Sequence, residues 1–216
     1  IIKELVHLRN RYGIIYFSIR DDNFTLNKKR VMDFCRLLDQ SRLYMMWNCQ
    51  ARVDTIDEEM LIAMKRAGLE HIQYGVESGS ERILRTYDKG TTRAMIVRAA
   101  GITRKAGLYL SFYLMSGMHG EETSDIDATI DLIKETMPHD SIVSPVAYYP
   151  GTKIYTDDRD KGLIDDSRWF DSTDSGLYLH DPAKKLKDLN RILRENSRIS
   201  EKAAYKPSDI KKHRAI

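Results

Sequence analysis

The fold of this chain is decided by residues 71–80, which read HIQYGVESGS. The stretch begins with a mostly apolar run and ends abruptly in Glu77, Ser78 and Gly79. A buried strand has this pattern when it delivers a polar group to a site at its carboxyl end. The same arrangement recurs at four other places along the chain.

Apolar runs of this kind alternate with segments of helical periodicity. The predicted strands cover residues 14–19, 44–49, 71–76, 109–115 and 141–147, and the predicted helices cover residues 1–12, 28–40, 57–67, 92–106 and 125–136. Strand–helix units in series predict an α/β fold with a parallel sheet. Such units form either a barrel-like sheet or a doubly wound open sheet, and their spacing leaves both open.

Several residues mark the ends of the predicted helices. Gly13 and Gly107 each follow a last helical turn, where glycine is common. Asp57 is the expected N-cap of the third helix. Ser124 is the expected N-cap of the fifth, with Asp127 as its partner in a capping box.

Polar groups follow every predicted strand. They lie in residues 20–23, 50–54, 77–79, 116–121 and 148–152. Each segment has an ordinary explanation as a turn. However, the carboxyl ends of parallel strands meet at one edge of the sheet, where α/β proteins build their active sites. The sequence therefore predicts a site at this edge.

The composition is that of an ordinary soluble protein, with 216 residues, 42% hydrophobic and 31% charged. The longest apolar runs, such as residues 109–115, are too short to cross a bilayer, and residues 1–13 do not form a signal peptide. We therefore expect a cytoplasmic protein without a membrane span. Because the chain starts at Ile1 inside a predicted helix, we also expect it to be a piece of a longer protein.

The cysteines and the charged tail limit other functions. Cys35 and Cys49 form no CxxC or zinc pattern, so we interpret them as buried thiols and predict no metal site in this chain. Residues 183–216 hold 11 Lys and Arg against 4 Asp and Glu. A basic tail can bind nucleic acid, but its apolar spacing favours an amphipathic helix with a solvated basic face. We therefore do not expect nucleic acid as a partner.

The loops at the strand ends resemble, in order and spacing, those of the radical S-adenosylmethionine superfamily. The closest likeness is to its cobalamin-associated branch, which includes anaerobic magnesium-protoporphyrin monomethyl ester cyclase-like Fe-S oxidoreductases. The matching text is FSIRDDNFT at 17–25, WNCQARVD at 47–54, GVESGS at 75–80, KGT at 89–91, GMHGE at 117–121 and YPGT at 149–152. The likeness covers residues 1–155.

The resemblance implies a partial TIM-like barrel over residues 1–155 and a C-terminal extension over 156–216, made of a loop and the basic helix. In this family a 4Fe–4S cluster on a CxxxCxxC loop gives an electron to S-adenosylmethionine, which splits into methionine and a 5′-deoxyadenosyl radical. That loop is absent here. We therefore expect the first strand and the cluster cysteines to precede Ile1. We also expect the 216-residue chain by itself to be inactive.

The family resemblance also implies partners beyond the matched residues. It implies an electron donor such as flavodoxin or ferredoxin, and a cobalamin cofactor held by a further domain that this chain lacks. The substrate cannot be read, because in this family other segments select it.

Five residues are matched by the resemblance to the methionine and ribose groups of the cofactor. Asp21, Asp22 and Asn23 match the loop that receives the amino group, whose three donors need convergent acceptors. Glu77 matches the residue that accepts hydrogen bonds from the ribose hydroxyls. Lys89 matches the basic partner of the methionine carboxylate.

Further residues complete the expected site. Arg52 ends an apolar strand and needs an anionic partner, which is either a ligand or one of Asp22 and Glu77. Ser78 either contacts the cofactor or begins the next helix. The adenine is expected beside backbone and apolar groups of segments 115–120 and 148–151, and the residues singled out there are Met115, Gly117 and Tyr149.

Two other functions remain open at this stage. A different barrel enzyme, such as a lyase, would use Glu77 and Lys89 as acid and base, because one fold supports many activities. The sequence disfavours it, since no phosphate-binding glycine loop or metal cluster is evident. A degenerate, non-catalytic domain would instead bind a partner through the basic tail.

Overall fold

The computed structural model describes residues 1–147, 149–170 and 182–202. Its helices are α1 (Ile2–Tyr12), α2 (Lys28–Gln40), α3 (Glu58–Arg66), α4 (Glu81–Thr86), α5 (Arg93–Lys105), α6 (Thr123–Thr136), α7 (Lys153–Asp160) and α8 (Pro182–Lys202). Its strands are β1 (Tyr16–Ile19), β2 (Met46–Ala51), β3 (Leu69–Glu77), β4 (Tyr109–Ser116) and β5 (Asp140–Pro145). Two short 3₁₀ turns, Phe24–Leu26 and Asp166–Phe170, complete the described elements.

The strands form one parallel sheet in the order β1-β2-β3-β4-β5. Sequential order without a reversal is the arrangement of a barrel wall, whereas a doubly wound sheet reverses its strand order at a switch point. The sheet therefore resolves the alternative that spacing left open. The predicted α/β fold with parallel strands in a partial barrel is confirmed.

Helices cover one face of this sheet. One large aromatic residue from each of β2, β3 and β4 is fully buried in this layer, namely Trp47, Tyr74 and Phe112. Successive residues of a strand point to opposite faces of the sheet. The Trp47 indole donates from Nε1 to the Ala67 carbonyl at 2.8 Å, so its polar atom is satisfied. The intervening residues, such as Gln50, lie on the opposite face and are less buried. That second face is polar and corresponds to the inside of a barrel.

Side-chain caps explain where most helices begin. Asp57 accepts from the Met60 N–H at 2.8 Å, which confirms it as the N-cap of α3. Ser124 is not the N-cap of α6, and the predicted Ser124–Asp127 capping box is wrong. The box is formed by Glu122 and Asp125, because Asp125 accepts from the Glu122 N–H at 2.8 Å.

Local backbone geometry shifts the start of one strand, and two short helices, α4 and α7, lie where no helix was predicted. β2 begins at Met46 rather than at Tyr44, because Arg42 and Tyr44 have left-handed φ angles of 53° and 44°. The short helix α4, which the apolar pattern did not predict, begins after Ser80. It is too short to show helical periodicity.

The last helix packs against the edge of the sheet. α8 contacts β5 and α6, and it buries Leu189, Ile192 and Ile199, while Leu193 remains 40% exposed. An amphipathic helix is therefore present in the tail, as predicted. The division of the chain at residue 155 stays a prediction, and residues 203–216 of the basic tail lie outside the described structure. Within its described helices, the chain has none long and apolar enough to span a membrane.

Candidate functional site

The carboxyl edge of the sheet is centred on Glu77, the last residue of β3. Glu77 has a left-handed φ of 65° and follows an irregularity in the pairing of β3 with β4, between Gly75 and Glu77. The residue is only 8% exposed, and its Oε1 accepts from Lys89 Nζ in an ion pair. The two groups predicted to bind different parts of one ligand therefore contact each other.

Gly75 leaves the space that this ion pair occupies. A Cβ added at Gly75 would lie 3.0 Å from Glu77 Oε1 and 3.2 Å from Lys89 Nζ. Both distances are tighter than most real Cβ contacts, so a side chain here would press on both charged groups. The glycine in GVES is thus a requirement of close approach.

Arg52 lies beside this pair, just beyond β2. It makes a bidentate bond to Asp54, from Nε at 2.9 Å and from Nη2 at 2.7 Å. Its Nη2 also donates to the Lys89 carbonyl at 2.5 Å. Of the two alternatives predicted for Arg52, the salt bridge to Asp22 or Glu77 is wrong, because the guanidinium pairs with Asp54 instead. The other alternative, contact with a ligand, stays a prediction. The bond to Asp54 raises the pKa of Arg52, and it lowers the pKa of Asp54.

The loop after β1 holds the predicted amino-group acceptors. Asp21 pairs with Arg30 at 2.7 Å, and the Asn23 side chain accepts from Thr25 Oγ1 at 3.0 Å. Asp22 forms no side-chain hydrogen bond or ion pair within the described part of the chain. Asp22 is therefore the one of these three predicted residues whose side-chain oxygens have no partner among the described residues.

Ser78 is directed away from the solvent. It is fully buried, and its Oγ lies 3.2 Å from Thr129 Oγ1 on α6. Gly79 donates from its N–H to the same Thr129 oxygen at 2.9 Å. These contacts join the end of β3 to α6, so Ser78 has structural partners in this structure. Its predicted contact with a cofactor stays a prediction.

The loop after β4 contains a carboxylate, Glu121, to which the sequence analysis gave no role. Glu121 accepts from the Gly117 N–H at 2.5 Å and from Ser116 Oγ at 2.9 Å. Burial raises the pKa of Glu121, although these hydrogen bonds oppose the rise. Glu121 therefore shapes the turn in which Gly117 has a left-handed φ of 96°. The spacing of glycine and glutamate in GMHGE could have indicated this contact.

Asp125 is a second residue missed by the sequence analysis. Its carboxylate accepts from Ser80 Oγ at 2.6 Å, pairs with Arg82, and forms the capping box described above. Burial alone would raise the pKa of Asp125, but these hydrogen bonds hold it below its usual value. Asp125 thus ties the start of α4 to the start of α6, and both helices begin at the carboxyl edge.

The remaining predicted contacts lie around this edge. Met115 is half-buried near the end of β4, and Met118 is buried close by. Tyr149 is 54% exposed, and its carbonyl accepts from Thr152 Oγ1 at 2.8 Å. Tyr148, in the segment predicted to line the adenine, lies outside the described residues.

The cysteines do not fit an iron–sulfur cluster. Cys35 and Cys49 are both buried, and burial raises the pKa of Cys35 to about 12 and that of Cys49 further. A cluster needs thiolates, usually three or four. Nor does the described structure contain a group of three or more His, Cys, Asp or Glu able to hold a metal ion.

Comparison with known proteins places the chain in a family. The model of the Radical SAM superfamily matches residues 1–133, and the chain belongs to this superfamily. The predicted family is therefore confirmed, over a somewhat shorter range than the expected 1–155.

Two curated relatives are longer than this chain. It is 31% identical over 200 residues to the uncharacterized methyltransferase PH0819 of Pyrococcus horikoshii, across 90% of this chain and 42% of that protein. It is 26% identical over 165 residues to the anaerobic magnesium-protoporphyrin IX monomethyl ester cyclase of Cereibacter sphaeroides, across 74% of this chain and 27% of that protein. The chain thus spans less than half of either relative.

A solved structure shares the fold. The radical S-adenosylmethionine methyltransferase TsrM from Kitasatospora setae, solved with cobalamin and a 4Fe–4S cluster bound, matches with a TM-score of 0.69 and 16% identity. The match covers 90% of this chain and 40% of that chain. At this identity the likeness supports the barrel architecture alone.

Proposed function

We propose that these residues form the S-adenosylmethionine-binding part of a radical S-adenosylmethionine enzyme. The observation that carries the proposal is the ion pair between the buried Glu77 and the partly exposed Lys89, which lies at the carboxyl edge of the sheet of a chain that belongs to this superfamily. A carboxylate and an ammonium side by side complement a ligand that carries hydroxyls and a carboxylate of its own.

In this proposal the ligand replaces the contact between Glu77 and Lys89. The ribose hydroxyls donate to the Glu77 carboxylate, and the Lys89 ammonium moves to the methionine carboxylate. Each group keeps an oppositely charged or hydrogen-bonded partner, so neither is left unpaired when the ligand binds. The pair would thereby hold both groups in the site before binding.

Other residues would hold the two ends of the ligand. Asp22, as the most available acceptor of the loop after β1, would receive the amino group, with Asp21 and Asn23 shaping that loop. The adenine would lie against the half-buried Met115, the turn at Gly117 and the exposed Tyr149. Ser78 supports this role least, because its hydroxyl is already bonded within the protein.

The cluster and further partners would come from outside these residues. A 4Fe–4S cluster supplies the electron that cleaves S-adenosylmethionine, and neither Cys35 nor Cys49 suits it. Cysteines in the remainder of a longer protein would have to hold the cluster. Cobalamin and a reductant such as flavodoxin or ferredoxin, which the resemblance to the cobalamin-associated branch implies, would also act with that whole protein.

Calorimetric titration with S-adenosylmethionine tests the assignment. Glu77→Gln should weaken binding by about tenfold, since an amide accepts less strongly than a carboxylate and no longer attracts Lys89. Glu70→Gln is the matched control: Glu70 lies at the opposite end of the same strand, where it accepts from Tyr16. Equal affinity of the Glu77→Gln and wild-type proteins would remove the ribose assignment.

A further inference from the structure

Arg52 contacts the proposed site only through the protein backbone. Its Nε and Nη2 atoms both donate to the Asp54 carboxylate. The Nη2 atom also donates to the backbone carbonyl of Lys89, which lies 37 residues further along the chain. The Arg52 and Asp54 side chains are 29% and 28% exposed, so both are largely withdrawn from water. Because the Asp54 carboxylate compensates the guanidinium charge, Arg52 is poorly placed to bind a second anion.

The loop that Arg52 grips is sharply folded. Lys89 lies between Asp88 and Gly90, whose φ angles of 51° and 67° are both left-handed. This geometry directs the Lys89 carbonyl to Arg52 and the Lys89 side chain to Glu77. The left-handed φ of Asp88 follows the C-cap of α4, where its N–H donates to the Arg85 carbonyl at 3.1 Å. The bond from Arg52 to the Lys89 carbonyl is the contact that holds the next residue from outside the loop.

We propose that Arg52 is a positioning residue, which fixes the loop between α4 and α5 so that the Lys89 ammonium faces the ligand carboxylate. Arg52 itself does not touch the ligand. Asp54 orients Arg52, Arg52 holds the Lys89 carbonyl, and Lys89 makes the ligand contact. This inference rests on the proposed function, because it assumes that Lys89 binds S-adenosylmethionine.

Hydrogen exchange tests, without any ligand, whether the bond from Arg52 to the Lys89 carbonyl holds the loop. In Arg52→Gln the guanidinium is lost, and the amides of residues 87–91 should exchange about tenfold faster, as expected for a lost charge-assisted hydrogen bond. Asp54→Asn, which weakens the bidentate pair, should give a smaller change in the same direction. The matched control is Arg98→Gln, because Arg98 also donates to a loop carbonyl, that of Ile56 at 3.3 Å. Unchanged exchange at residues 87–91 in Arg52→Gln would overturn the inference.

A double-mutant cycle then tests whether Arg52 acts through Lys89. Arg52→Gln should lower the affinity for S-adenosylmethionine about tenfold in the wild type and less than about twofold in Lys89→Met. A residue that touched the ligand directly would lower affinity equally in both backgrounds, and that result would overturn the positioning role. Arg98→Gln should leave the affinity unchanged in both.

The two arms separate the two claims. Suppose that residues 87–91 exchange faster in Arg52→Gln but the wild type does not bind S-adenosylmethionine. This result would reject the proposed function, and it would still support the role of Arg52 in holding the loop. Unchanged exchange together with normal wild-type binding would reject the role of Arg52 and leave the proposed function intact.

Discussion

Glu77 combines two costly features in one residue. A left-handed backbone is unfavourable for a residue with a Cβ, and a buried carboxylate needs a partner. The structure compensates the charge with Lys89, and it leaves room for that pair above Gly75. Non-glycine residues in this backbone region cost of order 1 kcal/mol and persist where the surroundings fix them, often at functional sites. The geometry of Glu77 is therefore consistent with a role in binding.

The contacts of single side chains were harder to predict from the sequence than the strands and helices. The position of Glu77 at a strand end followed from the apolar run before it, because a strand's direction and its buried face are set by that run. The bond from Arg52 to the Lys89 carbonyl and the contact of Ser78 with Thr129 did not follow, because they depend on how separate segments meet in space. Thr129, whose hydroxyl contacts that of Ser78, lies 51 residues away along the chain.

Asp125 should make the stability of the protein depend on pH. The pKa of Asp125 is lowered in the folded chain, so its carboxylate stabilises the fold above the unfolded pKa of about 3.9 and loses that effect as the pH falls through the folded pKa. Urea unfolding of Asp125→Asn at pH 6 should show a loss of about 1–3 kcal/mol. The difference from the wild type should shrink as the pH is lowered towards and below about 4.

Asp127→Asn provides the control for that experiment. Asp127 lies on the same helix but is half-exposed, and its pair with Arg191 is at the surface, so its loss should cost no more than about 1 kcal/mol. A stability difference for Asp125→Asn that stayed constant from pH 6 to pH 3 would contradict the role given to this carboxylate.

The elements themselves were largely predictable, and the errors have local causes. Apolar runs and helical periodicity located all five strands and the long helices, because burial of one face imposes those periods. The start of α6 was placed two residues too late, since several residues at 122–127 could serve as caps. Helix α4 was missed because a helix of six residues has too few turns to show a period.

Gly79 should be essential for the packing of β3 against α6. A Cβ at this position would lie 2.6 Å from the Thr129 Cα and still closer to the Ala128 carbonyl, so helix backbone would have to move. Gly79→Ala should therefore destabilise the fold by about 1–3 kcal/mol in urea unfolding, as over-packed sites do. Gly101→Ala is the control, because nothing lies within 4 Å of that added Cβ and alanine in a helix should stabilise by about 0.5–1 kcal/mol. Equal stability of Gly79→Ala and the wild type would contradict this packing.

At the scale of the whole molecule, the main core and the proposed binding edge occupy different parts of the sheet. The helices and the main apolar core lie on one face of the sheet, and polar groups lie on the other face and at its carboxyl edge. A smaller apolar cluster also lies at the carboxyl edge and includes Ile83, Met118 and Val146. A cavity with a volume of about 700 Å³ lies at the amino edge of the sheet and is lined in part by Arg42, Met45 and Gly68. The polar segments that follow the predicted strands identified the carboxyl edge, and the parallel sheet brings those segments together.

The buried cysteines should report global unfolding. Only a thiolate reacts with disulfide reagents, and burial raises the pKa of Cys35 to about 12 and of Cys49 further. At pH 8 we therefore expect labelling in native buffer to be limited by unfolding, and labelling in urea to be fast. Fast labelling of either thiol in native buffer would show that the packed layer beneath the sheet opens locally.

The central claim is that the carboxyl edge binds S-adenosylmethionine. The most direct measurement is a titration of the isotopically labelled 216-residue chain with S-adenosylmethionine, followed by amide chemical shifts. Saturable shifts are expected at residues 20–23, 75–79, 87–91 and 115–118. No shift at these residues, or shifts confined to residues 42–46 and 65–68 at the amino edge, would contradict the central claim.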